Sequence, residues 1–263
     1  MKKTFLIMLL VLFATVGVFA QSAKGMTHGG ATGLIAIPNA KIGWDKAADI
    51  GLDIGYHIIF ADPDTTHIPK VSVSLFKLVE VAFAYDSQGD SDDADMLFNG
   101  KFKLPLSSTT HLAIGANIQS LKASYWGDNR ETASQIYVAT TYPGTFFKMP
   151  AETTVVIGKT FGKDAGVPSG EIDFGMGFDL LLLPSLFKNY IHWISDFSNF
   201  SYSLHAIGSN AWYRGTYNTG LRFDLSEVKA LSRYKFVIDV QMTDLLDKDR
   251  TFVLGATFGM SMR

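Results

Sequence analysis

Apolar residues recur at every second position in this chain, run after run, and that period constrains the fold more than any other feature. Ile50, Leu52, Ile54, Tyr56 and Ile58 alternate with Gly51, Asp53, Gly55 and His57. The same rhythm carries Val79–Tyr85, Phe98–Leu104, Leu112–Ile118, Ile172–Leu180, Tyr217–Leu225, Phe236–Met242 and Phe252–Met262. Weaker runs occupy 70–76, 134–142, 152–162 and about 197–207. A period of two is the signature of β-strands with chemically different faces. Pro63, Pro69, Pro105, Pro143, Pro150, Pro168 and Pro184 read as lying between the runs or at their edges, where a residue without an N–H fits. Lys159 breaks the pattern by falling in phase with Val155, Ile157 and Phe161. Either a bulge shifts the phase there or its ammonium snorkels to an interface.

The runs are long for a soluble sandwich and match the roughly 9–11 residues that a tilted strand needs to cross a bilayer. One face is Ile, Leu, Val, Phe and Tyr. The other is Gly, Ala, Asn and charges. A soluble barrel would turn a face rich in Lys and Glu to water, yet only 18% of the residues are charged and 13% are aromatic. The expected fold is therefore all-β: a transmembrane, antiparallel, up-and-down β-barrel of about 12 strands, within bounds of roughly 10–14. The alternative is a secreted soluble β-protein. Outward loops are expected at 59–69, 87–94, 123–133, 163–169, 208–211 and 244–249. Inward turns are expected near 77, 105–109, 143–151, 181–189 and 226–232.

Lys2 and Lys3 precede an uncharged stretch from Phe5 to Phe19, and Val18-Phe19-Ala20 offers small residues at −3 and −1 of a cleavage site. Residues 1–20 read as a secretory signal peptide. Removing them leaves 21 basic and 25 acidic residues. Residues 21–45 read as a periplasmic lead or first-strand segment, and 46–263 as the barrel. The expected location is the bacterial outer membrane. The partners implied are outer-membrane lipid, the outer-membrane assembly machinery, and a polysaccharide or small anionic solute. A net charge of −2 argues against nucleic acid. The absence of cysteine excludes disulfides, thiolate metal sites and cysteine nucleophiles.

Ala31-Thr32-Gly33-Leu34-Ile35-Ala36-Ile37-Pro38-Asn39-Ala40 resembles the N-terminal motif of the YjbH-type outer-membrane barrel family, associated with exopolysaccharide production. Leu78-Val79-Glu80-Val81-Ala82-Phe83-Ala84-Tyr85, after a one-residue turn at Lys77, is similar to that family's second hairpin. The resemblance spans residues 30–90. It implies an outer-membrane barrel serving polysaccharide export or envelope function, and it assigns no catalytic residue.

The polar phase selects lumen-lining candidates: Asp53, Glu80, Lys101, Lys103, Asp173, Asp179, Arg214, Arg222, Asp224, Lys235 and Asp239. They read either as a wet pore lining or as an internal salt-bridge network filling a closed barrel. Arg214, Arg222 and Lys235 would form a cationic stripe suited to anionic sugars, unless Asp224 and Asp239 neutralise it. Asp86, Asp90, Asp92, Asp93 and Asp95 form an acidic loop without Ca²⁺-loop spacing, which reads as solvated surface. Ser201, Ser203 and His205 share a face, but no nucleophile elbow or metalloprotease motif accompanies them, so no catalytic, metal or cofactor site is expected. Asn189–Phe197 reads as an aromatic interface belt or a short rim helix. The expected function is a channel or an envelope-assembly, polysaccharide-associated barrel. A closed structural barrel is the alternative, with a membrane-embedded hydrolase last.

Overall fold

The computed structural model describes residues 25–44, 50–61, 65–88, 94–106, 110–122, 130–163, 165, 167–168, 170–202, 215–226, 228, 234–247 and 250–262. Twelve antiparallel strands follow one another around a closed barrel. They are β1 (Ile50–Phe60), β2 (Thr65–Leu75), β3 (Val79–Gln88), β4 (Ala94–Leu104), β5 (His111–Lys122), β6 (Arg130–Phe146), β7 (Met149–Phe161), β8 (Asp173–Leu181), β9 (Ile191–Ser198), β10 (Thr216–Asp224), β11 (Tyr234–Thr243) and β12 (Thr251–Met262). β1 pairs with β12 along its whole length, from Ile50↔Met262 to Phe60↔Phe252. Closure leaves no unpaired strand edge, which is the condition for placing a sheet in hydrocarbon.

Burial alternates with the sequence period. In β12 the exposed residues are Phe252, Leu254, Ala256, Phe258, Met260 and Met262, and the buried ones are Thr251, Val253, Gly255, Thr257 and Gly259. Ile54 is 57% exposed and Ile136 59%, whereas Asp53, Glu80, Arg222 and Asp239 are 0%. The apolar face points outward and the charged face inward. A water-soluble barrel would reverse this arrangement, so the secreted soluble alternative falls and the outer surface is a lipid-facing one. Lys159 sits in the outward phase with β6–β7 pairing unbroken through Ile136↔Lys159, so no bulge shifts it. Its Nζ instead donates to the Glu171 carbonyl at 2.5 Å, in the connection beyond β7.

Several connections differ from the sequence expectation. The stretch 143–151 is mostly strand: β6 and β7 run on through Pro143↔Glu152 and Phe146↔Met149 to a two-residue turn at Phe147-Lys148. Both turn residues have positive φ, 49° and 64°, as a type I′ hairpin demands. The turn after β2 takes 76–78 rather than Lys77 alone, with Phe76 and Lys77 also at positive φ. Pro69 and Pro143 lie inside strands rather than at their edges. The β2–β3 ladder skips Ile68 and Pro69 between His67↔Ser87 and Lys70↔Ala84, next to the missing donor. Residues 191–197 form β9 rather than a rim helix, and the short helix α1 (Pro184–Phe187) precedes it. The run expected at 197–207 is therefore displaced: β9 ends at Ser198, and 203–207 fall outside the described residues.

The largest departure concerns the N-terminal segment. Residues 25–44 are neither a lead outside the barrel nor a first strand; all but the half-buried Trp44 are buried. Leu34, Ile35, Ile37 and Ala40 form one apolar cluster with Ile59, Ile68, Leu97, Tyr137, Val156, Ile194 and Val253, which come from strands around the whole ring. The hydrophobic core of this protein is thus inside its barrel, with the N-terminal segment as the filling. We call residues 25–44 the plug. The expected signal peptide, residues 1–20, lies outside the described residues.

Candidate functional site

The lumen is the candidate site, and its floor is a set of charges satisfied by their neighbours on the wall. Glu80 on β3 directly opposes Lys101 on β4, with Nζ to Oε1 at 3.1 Å. Arg222 on β10 opposes Asp239 on β11, with Nε donating to Oδ1 at 2.7 Å. Lys235 on β11 reaches Asp53 on β1 across β12, with Nζ to Oδ2 at 2.6 Å. The residue it crosses is Gly259, where a Cβ would lie 2.0 Å from Asp53 Oδ1. His192 on β9 bonds Asp179 on β8 at 2.6 Å. A polar ladder covers another arc. Asn99 Nδ2 donates to Asn117, Asn117 Nδ2 to Gln135 Oε1 at 2.8 Å, and Gln135 Nε2 to Asp173 Oδ2 at 2.7 Å. Thr160 donates to the same Asp173 oxygen.

Of the lumen-lining candidates, Asp53, Glu80, Lys101, Asp173, Asp179, Arg222, Asp224, Lys235 and Asp239 are buried on the inward face, and Lys103 is half-buried. Asp224 Oδ1 accepts the Ser226 amide at 2.8 Å and so caps the turn after β10. Arg214 lies outside the described residues, as do Asp90, Asp92 and Asp93 of the acidic loop and Ser203 and His205; Asp86 and Asp95, expected on solvated surface, are buried on β3 and β4 instead. Among the described residues no group of His, Asp and Glu is arranged to hold a metal ion.

The plug meets these charges with its backbone. Its tightest bend runs through Gly33-Leu34-Ile35-Ala36-Ile37-Pro38, closed by the Leu34 amide donating to the Ile37 carbonyl at 3.0 Å. Gly33 is required there, because a Cβ would sit 2.3 Å from the Ile37 oxygen. The bend turns three consecutive amides toward β9. Asp196 Oδ2 accepts the N–H groups of Ile35 and Ala36 at 2.8 Å each and of Ile37 at 3.3 Å. Its other oxygen accepts Asn218 Nδ2 at 2.7 Å. This is an anion nest of the kind that backbone amides form around phosphates and carboxylates. The carbonyls face cations instead. Arg222 donates to Gly33 O at 2.7 Å and Leu34 O at 3.0 Å. Lys101 donates to Thr32 O at 3.0 Å and Asn39 O at 3.2 Å, and Lys70 to Thr27 O at 2.7 Å. Glu80 accepts the amides of Thr32 at 2.7 Å and Gly43 at 2.8 Å. The far end is held by Trp44, whose Nε1 donates to Asp53 Oδ1 at 2.8 Å beneath the Lys235 ammonium, 5.0 Å from the ring.

His28, on the plug, approaches the His57 ring at 5.4 Å and Gln241 Oε1 at 3.1 Å. Burial, with His57 and Lys70 beside it, holds its imidazole well below the usual range, so it is uncharged at neutral pH. The chain after β9 also turns inward and packs in the apolar cluster around the plug. Phe200 and Tyr202 turn inward and are buried, with the Tyr202 hydroxyl donating to Gln135 Oε1 at 3.2 Å. Asp196, Lys70, Asn99, Asn117, Gln135 and Tyr202 were not singled out from sequence. Their inward phase was the available signal, but their role depends on a plug that has no period.

No family model and no curated protein matches this chain. Solved structures share its architecture. It is similar to the KdgM porin, with a TM-score of 0.51 at 7% identity over 80% of this chain and 99% of that one. A structure of the KdgM porin in complex with disordered oligogalacturonate gives 0.52 at 10% identity, over 80% and 99%. The NanC porin gives 0.51 at 10% identity, over 81% and 99%. At these identities the likeness is one of fold: a closed, antiparallel outer-membrane β-barrel.

Proposed function

We propose that this protein is an outer-membrane channel for small polar or anionic solutes that rests closed, with residues 25–44 as the closing element. The observation that carries this reading is the pairing of the wall charges. Glu80 with Lys101, Arg222 with Asp239, Lys235 with Asp53 and His192 with Asp179 all pair strand to strand, without the plug. Withdrawal of the plug would therefore leave these four pairs intact in a wettable lining. A barrel needing only a core would be filled more cheaply by apolar side chains. The fold likeness to the KdgM and NanC porins supports a channel, and the oligogalacturonate recorded with KdgM supports an anionic saccharide as the solute class. The YjbH-type resemblance of residues 31–40 points toward the same polymer-associated role.

Export by residues 1–20 and insertion by the outer-membrane assembly machinery complete this reading. A permanently closed structural barrel is the second reading, favoured by the number of wall charges engaged with plug backbone. Liposome swelling separates the two. A variant lacking 25–44, folded by its heat-modifiable gel mobility, should admit small sugars and sugar acids, while the full chain admits them slowly. A folded deletion variant as impermeable as the full chain would leave the structural reading standing.

A further inference from the structure

The geometry points to Asp196 as the latch of the plug: the group whose negative charge decides whether residues 25–44 stay seated. This inference rests on the closed-channel reading for its consequence, but the seating itself is measured separately below. Most wall charges that touch the plug also have a partner on the wall. Arg222 keeps Asp239 and Lys101 keeps Glu80 whether or not the plug is present. Asp196 differs. It is 1% exposed, and among the described residues no cation pairs with it. Its charge is balanced by three plug amides and the single side chain of Asn218. A buried carboxylate without a counter-ion is held only by such donors, and each charge-assisted bond is about twice as strong as a neutral one. The seated state therefore draws more free energy from the Asp196 charge than from any pair that the wall already satisfies.

The sequence places the complementary piece opposite. Gly33 and Pro38 bracket the bend, and their bridge holds the amides of Ile35, Ala36 and Ile37 convergent on one oxygen. A neutral amide at 196 would present a weaker acceptor to the same three donors. It would leave the Arg222, Lys101 and Lys70 contacts in place. Lys70 is the mirror case on β2. Its ammonium donates to Thr27 O at 2.7 Å and His28 O at 3.4 Å, and among the described residues no carboxylate pairs with it. Two carbonyl contacts offer less than three convergent amides, and Glu152, which pairs with Lys41 of the plug, keeps part of its side chain in water, where an ion pair is worth less, so Asp196 carries the latch.

The test uses the full chain, which has no cysteine of its own. Ala40→Cys places a thiol on the plug at a site that is 0% exposed when seated. Maleimide labelling of the folded protein in liposomes then reports unseating, and planar-bilayer conductance is read on the same preparations. Asp196→Asn should raise the labelling rate about tenfold or more. Ala36→Pro, which removes a donor from the plug side and leaves the wall untouched, should do the same, so a folding defect in the wall variant does not decide the matter. Labelling unchanged by both variants overturns the latch. Labelling raised without conductance upholds the latch and overturns the channel reading. Labelling and conductance raised together uphold both.

Discussion

At the scale of single residues, inward charges are tolerated because each has a specific partner, and the partner is often far away in sequence. The phase of Asp53, Glu80, Lys101, Arg222, Lys235 and Asp239 was legible in the alternation, since a period of two assigns every residue to a face. The pairing was less so. Arg222 and Asp239 are on consecutive strands, but Asp53 meets Lys235 only because the barrel closes β1 onto β12. No local pattern announces a contact made by closure. The energetic weight of these pairs is testable at Glu80, which serves both Lys101 and two plug amides. Glu80→Gln should destabilise the folded barrel by about 3–5 kcal/mol in urea titrations from liposomes, because it leaves Lys101 buried without a counter-ion. Glu80→Gln combined with Lys101→Met should recover most of that loss. A single-variant loss under about 1 kcal/mol would mean that the pair is hydrated rather than buried.

At the scale of elements, the strands and the places of most connections were readable, and the tight turns with positive φ were not. The strands are long and strictly two-sided, so hydrophobic pattern and membrane thickness agree on them. The turns at Phe76-Lys77 and Phe147-Lys148 need two residues at positive φ, yet they carry none of the Asn or Gly that normally signals such a turn. That is why 143–151 read as a loop, with its two prolines strengthening the impression. The strand β9 was misplaced for a related reason: Ile191–Ser198 mixes Ile194 and Asp196 on its inward face, since one packs on the plug and the other binds it. The lipid-facing assignment carries its own prediction. Ile54, exposed near the middle of β1, should cost about 2–4 kcal/mol when changed to Arg, as for a cation at the bilayer midplane of a barrel. An Ile54→Arg variant that folds into liposomes with unchanged stability would place that face away from lipid.

At the scale of the whole molecule, the fold is a barrel turned inside out relative to a soluble protein, with a core supplied by its own N-terminal segment. Twelve strands enclose more room than inward Gly, Ala and Asn can fill, and that excess was the physical hint that something else must enter. The hint was not enough to name residues 25–44, because their apolar positions follow neither period. With the plug seated, Leu34, Ile35 and Ile37 complete the apolar cluster while Glu80, Asp196, Arg222 and Lys101 bind its backbone. In the closed-channel proposal this segment, and not a narrow wall, closes the lumen. Single-channel conductance in planar bilayers, comparing the full chain with a folded variant lacking residues 25–44, tests it most directly. The full chain should be silent or rarely open and the deletion variant should conduct steadily; a full chain that conducts as well as the deletion variant, or a deletion variant that stays silent, would show that residues 25–44 do not close the lumen.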